Sequence, residues 1–431
     1  MSDSALLVNE SLRNRLASAL LNPAAAPPVV NSGAAALEVV ASPRASSDVE
    51  SPLRVVITLN EVNNLHGTGP LVERICRGWP NVFSIRARND YGGVQEFGDW
   101  QVCLSQRARS RSEFFETVLS ILRGRTIESA LCVPFLDDDF LTAIAVQECF
   151  GAKLCAYVMD DQNVAINNIS DDLMREFLQR CSLRLITHPE LRYAYETKYQ
   201  LPFHILPAIV PSHLVATEPV AAPPLNGPRR GALIGSFWDQ SWFDRLCTAL
   251  SGCGHDIDWF GNNKSPWLAF APASLAKARI KAHGVIPEQQ LASELKNYPF
   301  VIVPVSEERS NESNHGVARL SLPGRILFAL ASSHTPILIV GGSHTCGARF
   351  VSHFGVGEVA PYDRRKLAEA MQRMSHPINQ TRMRQQAARI APALSDRDVA
   401  GWVAQSIEMG RPADRRFEDL FAGYDPVVDL E

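Results

Sequence analysis

At 431 residues the chain is too long for one ordinary domain and long enough for two with tails. Its 46% hydrophobic and 20% charged content describes a globular protein rather than a disordered or fibrous one. A formal net charge of −4 and a pI near 6.3 exclude the strongly basic profile of a nucleic-acid binder.

Nine cysteines show neither a CxxC pair nor metal-ligand spacing, so a reducing compartment and no metal site are expected. Asp3 and Glu10 stand where a secretory signal would be basic, and no apolar run reaches the roughly 18 residues of a spanning helix. The chain therefore reads as cytoplasmic, with peripheral membrane contact left open.

Residues 1–53 read as a flexible tail. Leu12, Leu16 and Leu20 recur at helical spacing, and an Ala-, Pro- and Ser-rich stretch without period follows. Order begins at Arg54. Apolar, β-branched runs predict strands over 55–59, 82–85, 101–104, 130–135, 153–159 and 183–187. Helices over 71–77, 112–122, 140–150, 170–180 and 189–198 fit between them. This alternation predicts a parallel, doubly wound α/β domain over 54–210.

Residues 211–230 are again rich in Pro and Ala and predict an interdomain linker. The alternation restarts over 231–394, with strands at 231–234, 256–260, 280–284, 300–305 and 337–340. Helices are predicted over 242–250, 287–295 and 364–374, and another opens at Ser321-Leu-Pro-Gly-Arg325. The polar loop 306–316 falls at the carboxyl end of a strand, where such sheets bind ligands. Residues 395–431 are helical again. Two βα domains joined by a linker predict a cleft as the active site.

The order of motifs resembles the GT-B glycosyltransferases, most closely those related to the large retaining family four (glycosyl transferases group 1). In the second half the matching pieces are Ile234-Gly-Ser-Phe237, Asp258-Trp-Phe-Gly-Asn262, Ala282-His-Gly-Val285, Val301-Ile-Val-Pro304, Ser321-Leu-Pro-Gly-Arg-Ile326 and Thr335-Pro-Ile-Leu338. In the first half they are Leu65-His-Gly-Thr-Gly69, Ser182-Leu-Arg-Leu-Ile-Thr-His188 and Leu206-Pro-Ala208. The resemblance implies two Rossmann-like domains, with the C-terminal helices, 395–431, returning to the first. The pattern departs from the family in one respect. Glu307, Glu308 and Glu312 are followed eight positions later by His315, Gly316 and Leu320, not by the usual second glutamate. The usual cations after the first strand of the second domain are also missing from 235–240.

A sugar transferase must hold a diphosphate leaving group, which helix N-termini and cations can do without a metal. Arg325 is the first choice for the diphosphate, and Lys264 a second cation. Gly67 and Gly69 would let backbone approach a ligand, as would Gly235 and Ser236. His283, Gly284 and Val285 would meet a nucleotide base. Asn262, Asn311, Glu312 and Ser321 complete the expected donor contacts. Asp160, Asp161 and His66 are the candidate catalytic residues, one carboxylate serving as general base or acceptor ligand. Asp137-Asp138-Asp139 contains a DxD, but these residues suit the start of the helix that follows better than a metal.

The expectation is a metal-independent hexosyltransferase without a cofactor, moving sugar from a nucleotide-sugar donor to a carbohydrate or lipid-linked acceptor in polysaccharide or glycoconjugate assembly. Two rivals are a nucleotide-sugar epimerase of the same fold and a non-catalytic sugar- or partner-binding protein that kept it.

Overall fold

A computed structural model describes residues 40–41, 51–64, 67–93, 95, 97–104, 110–224, 229–237, 240–263, 269–307 and 315–426. The chain divides into two compact units. The first is chiefly Met1–Pro207 with Asp398–Asp419, and the second is Ala208–Arg397 with Leu420–Val427.

In the first unit the strands are β1 (Val40–Ala41), β2 (Leu53–Thr58), β3 (Val82–Arg86), β4 (Trp100–Cys103), β5 (Ile127–Val133), β6 (Lys153–Val158), β7 (Leu183–Ile186) and β8 (His204–Ile205). They form one sheet in the order β1-β4-β3-β2-β5-β6-β7-β8. Every pairing is parallel except that of β1 with β4. All five residues of β3 are buried, as are β5 and β6 apart from one exposed residue in each. Such strands read as continuous apolar runs because helices cover both faces. The helices are α1 (Thr68–Cys76), α2 (Arg111–Ile121), α3 (Asp137–Phe150), α4 (Asp171–Arg180) and α5 (Pro189–Tyr199).

The second unit repeats the plan with β9 (Arg230–Ile234), α6 (Gln240–Leu250), β10 (Asp256–Phe260), α7 (Pro272–Lys277), β11 (Ile280–Gly284), α8 (Glu288–Leu295) and β12 (Val301–Pro304). It continues through α9 (His315–Leu320), α10 (Gly324–Ser333), β13 (Ile337–Val340), α11 (Cys346–Phe354), β14 (Gly357–Ala360), α12 (Arg364–Ser375) and α13 (Pro377–Ile390). Its sheet is wholly parallel in the order β11-β10-β9-β12-β13-β14. Finally α14 (Val399–Met409) groups with the first unit, where Lys153 Nζ donates to the Glu408 carbonyl at 2.9 Å.

In both sheets the earliest central strand, β2 or β9, sits in the middle, and the chain winds out to one side and then the other. The points of reversal lie between β2 and β5 and between β9 and β12, where ligands bind at the carboxyl ends. The second of these is splayed. Pairing of β9 with β12 stops at Leu233–Ile302, while Ile234 still pairs with Phe260, and Pro304 with Val340.

Three expectations change. The stretch expected as a linker is docked on the second unit over its described residues. Val210 N donates to the Leu394 carbonyl (2.7 Å), Ala216 N to the Ala331 carbonyl (2.9 Å) and Val220 N to His334 Nδ1 (3.2 Å). Its Pro and Ala content reflects an extended path over a surface rather than freedom. In the expected tail, Val40 and Ala41 pair with β4, whose open edge offers unpaired backbone groups. Third, α3 starts at Asp137, so the acidic triplet forms its first turn instead of preceding it. The short helix expected around Leu12–Leu20 lies outside the described residues.

Candidate functional site

At the splayed end of β9 the backbone turns at Gly235 with φ +86°, a conformation open to glycine. A Cβ there would stand 2.7 Å from Arg325 Nη1. The guanidinium has taken that space, donating to the carbonyls of Ile234 (3.0 Å) and Ser236 (3.1 Å) on either side. It thereby satisfies backbone acceptors at the strand end where pairing with β12 has stopped. Arg325 enters from the first turn of α10, a helix buried from Ile326 to Ser333 and capped at its start by Pro323. Among the described residues no carboxylate pairs with Arg325, and its Nε is buried without a partner. Burial pushes the guanidinium down to about 10, so it stays charged at neutral pH.

An aromatic cluster holds this turn from below. Phe237 meets Phe243 edge-on at 5.2 Å and Trp259 at 5.4 Å, and Phe270 closes on Trp259 at 5.0 Å. Each such contact adds about 0.5–1.5 kcal/mol beyond burial. Trp259 Nε1 also donates to the Gly235 carbonyl at 2.9 Å, fixing the turn to β10.

Further along the same edge, His283 Nε2 meets Asp258 Oδ1 at 2.6 Å, and the imidazole stacks on Phe260 with centroids 5.0 Å apart. Asp258, buried in β10, also accepts from Tyr298 Oη at 3.0 Å and pairs with Arg230. Burial alone would raise the Asp258 carboxyl, but hydrogen bonds from His283, Arg230 and Tyr298 outweigh it and hold the carboxyl below the usual range. Asp258 therefore fixes an exposed imidazole at the carboxyl end of β11. Gly284 follows, then Val285, which is 76% exposed. Asn262 lies partly buried just after β10, and Ser321 partly buried ahead of α10.

A second cation occupies the same end of the sheet. Arg245, on α6, places Nη1 3.5 Å from Glu307 Oε2, and its guanidinium lies 5.1 Å from the Tyr362 ring centroid. Tyr362 Oη donates to the Val305 carbonyl (2.9 Å), and its backbone N–H reaches Glu307 Oε1 (3.3 Å). Burial keeps the phenol far above its ordinary value, with Arg245 and Arg325 both close enough to oppose that shift. Arg245 escaped the sequence reading because nothing in helix spacing marks which arginine of a helix reaches Glu307 and Tyr362.

The reversal point of the first sheet is acidic in character. Glu61, fully buried after β2, accepts from the backbone N–H of Asp90 (3.1 Å), Tyr91 (3.1 Å) and Gly93 (2.6 Å). Asp139 Oδ2 accepts from Phe135 N (2.9 Å) and Leu136 N (3.0 Å), and burial pushes its carboxyl up to about 7. This carboxylate serves the start of α3. Gly69 is required for packing: a Cβ would stand 2.1 Å from the Asn63 carbonyl oxygen. Gly67 has open space around it.

The two candidate aspartates separate clearly. Asp161 Oδ1 accepts from Asn163 N (3.1 Å), Val164 N (2.8 Å) and Tyr195 Oη (3.2 Å), and Oδ2 from Ala165 N (2.7 Å) and Ile166 N (3.0 Å). It is 2% exposed and organises the loop after β6. Asp160 is only partly buried; burial first, then the Asp161 charge, push its carboxyl up to about 6. His66, Lys264, Asn311 and Glu312 lie outside the described residues.

Two doubly wound units, with winding that reverses beside β2 in one and β9 in the other, are the architecture of the GT-B fold. Solved structures share it. HepE of Anabaena in complex with UDP-glucose matches with a TM-score of 0.58 and 11% identity over 83% of this chain and 100% of that one. MurG of Acinetobacter baumannii matches at 0.52, with 9% identity over 83% and 100%. A putative UDP-N-acetylglucosamine 2-epimerase of Listeria monocytogenes matches at 0.51, with 10% identity over 86% and 98%. No protein-family profile matches the sequence, and no curated protein matches it. Among the described residues no helix is long and apolar enough to cross a membrane.

Proposed function

We propose that the chain is a glycosyltransferase that takes a sugar from a nucleotide-sugar donor held by the second unit and passes it to a carbohydrate or lipid-linked acceptor on the first. The observation that carries this reading is Arg325: a guanidinium with no paired carboxylate among the described residues, at the splayed end of β9 and β12. A diphosphate there would supply counter-charge to the guanidinium and would be stabilised as it leaves. Backbone at Gly235 and Ser236 lies beside it, and the imidazole of His283, with Gly284 and Val285, offers a surface for the base. In the first unit Asp160, with its carboxyl near 6, is deprotonated at neutral pH yet basic enough to take a proton from an acceptor hydroxyl. The reading needs no metal, and it places the activity in polysaccharide or glycoconjugate assembly at the cytoplasmic side.

Calorimetry with UDP, GDP and their hexose conjugates tests it. One nucleoside diphosphate should bind with a Kd below about 1 mM, and the matching conjugate should lose its sugar to an added acceptor. Binding of none of them by folded protein would overturn the proposal. Rearrangement of the conjugate with no acceptor present would mark an epimerase instead.

A further inference from the structure

The Arg245–Glu307 pair, formed at the carboxyl end of the sheet, is a loose one. Its 3.5 Å separation is longer than a charge-assisted hydrogen bond, and the two side chains are 27% and 34% exposed. Arg373–Glu358, at 2.8 Å, is by contrast a close pair. Each partner of the loose pair has a separate hold. Glu307 accepts from Tyr362 N, and Arg245 lies against the Tyr362 ring. Either can therefore leave the other without losing its place. Tyr362 is itself fixed, through Val305, to the end of β12. Among the described residues Arg325 thus has no carboxylate partner, and Arg245 has an exchangeable one.

We propose that Glu307 is an internal competitor for Arg245, displaced by the second phosphate of a bound diphosphate, and that it limits how tightly a nucleoside diphosphate is held. This rests on the donor reading given above. A single phosphate is satisfied at Arg325 and leaves the Arg245–Glu307 pair intact. A diphosphate reaches both cations and must take Arg245 from Glu307. After sugar transfer, return of Glu307 to Arg245 weakens the hold on the nucleoside diphosphate product and favours its release.

Titration of the full chain with UMP, UDP, GMP and GDP tests this in wild type, Glu307→Gln and Arg245→Met. Gln keeps an acceptor for Tyr362 N, and thermal melting checks that each variant folds. In Glu307→Gln the favoured diphosphate should bind about tenfold more tightly while its monophosphate changes less than about threefold. In Arg245→Met diphosphate affinity should fall to that of the monophosphate. Wild-type binding with no gain in Glu307→Gln, or equal gains for mono- and diphosphate, would overturn the inference and leave the donor reading standing. Failure of both wild type and Glu307→Gln to bind any of the four would overturn the donor reading and this inference with it.

Discussion

The two sheets share a winding order but differ in chemistry at the point where the winding reverses. In the first, buried carboxylates meet backbone N–H groups: Glu61 holds the segment Asp90–Gly93 and Asp139 the start of α3, and one strand further out Asp161 holds the loop after β6. In the second, guanidiniums meet backbone carbonyls and an aromatic ring, through Arg325 and Arg245. The fold fixes where a ligand can lie, and the side chains at the strand ends decide what it is. An acidic end suits hydroxyls and proton transfer. A cationic end suits phosphate.

The contrast can be broken most severely at Asp160. If it is the base, Asp160→Asn should lower kcat by about 10²–10⁴-fold, and the wild-type rate should climb with pH through about 6 and then level. Stability should run the opposite way. The folded carboxyl lies above its ordinary 3.8, so the folded state holds a proton that the unfolded chain has lost. Stability should therefore fall between about pH 4 and pH 6, by up to about 3 kcal/mol, and Asp160→Asn should remove that fall. A rate independent of pH across this window would exclude Asp160 as base.

Next in size is Asp161→Ala, which strands the four backbone N–H groups that Asp161 accepts. A loss of about 3 kcal/mol or more in urea unfolding is expected. A near-neutral result would show that the loop does not depend on this carboxylate. Arg325→Met should weaken nucleoside diphosphate binding by about 100-fold, whereas Asp161→Ala acts on stability first.

The smallest effect compares two glycines. Gly69→Ala forces a methyl against the Asn63 backbone and should cost about 1–3 kcal/mol of stability. Gly235→Ala pushes instead on the far end of Arg325, at a turn with φ +86°, and should weaken diphosphate binding beyond any change in melting temperature. Equal behaviour of the two would erase the distinction between a packing glycine and a site glycine.

Much of the fold was legible because parallel strands covered on both faces leave unbroken apolar runs, as in Val301–Pro304 and Ile337–Val340. The helix α13 was not legible. Its buried face includes Gln380 and Arg384, each 2% exposed, where a periodic reading looks for apolar residues. Arg384 donates to the carbonyls of Tyr298 (2.7 Å) and Ser333 (3.2 Å), a role visible only once the chain has folded. The site divides in the same way. Arg325 followed from its place at a helix start after a polar loop. Asp161 reads from the sequence as facing a ligand because nothing there reveals that Asn163, Val164, Ala165 and Ile166 turn back their N–H groups onto it. Arg245 and Glu307 lie 62 positions apart and come together beside Tyr362 only once the chain has folded.

The most direct test of a phosphate-holding second unit is hydrogen–deuterium exchange of the full chain with and without saturating UDP or GDP. The account predicts slower exchange at the turn around Gly235 and at the start of α10, with the loop after β6 unchanged. Protection confined to the loops after β2 and β6, with none around Gly235 and Arg325, would contradict it.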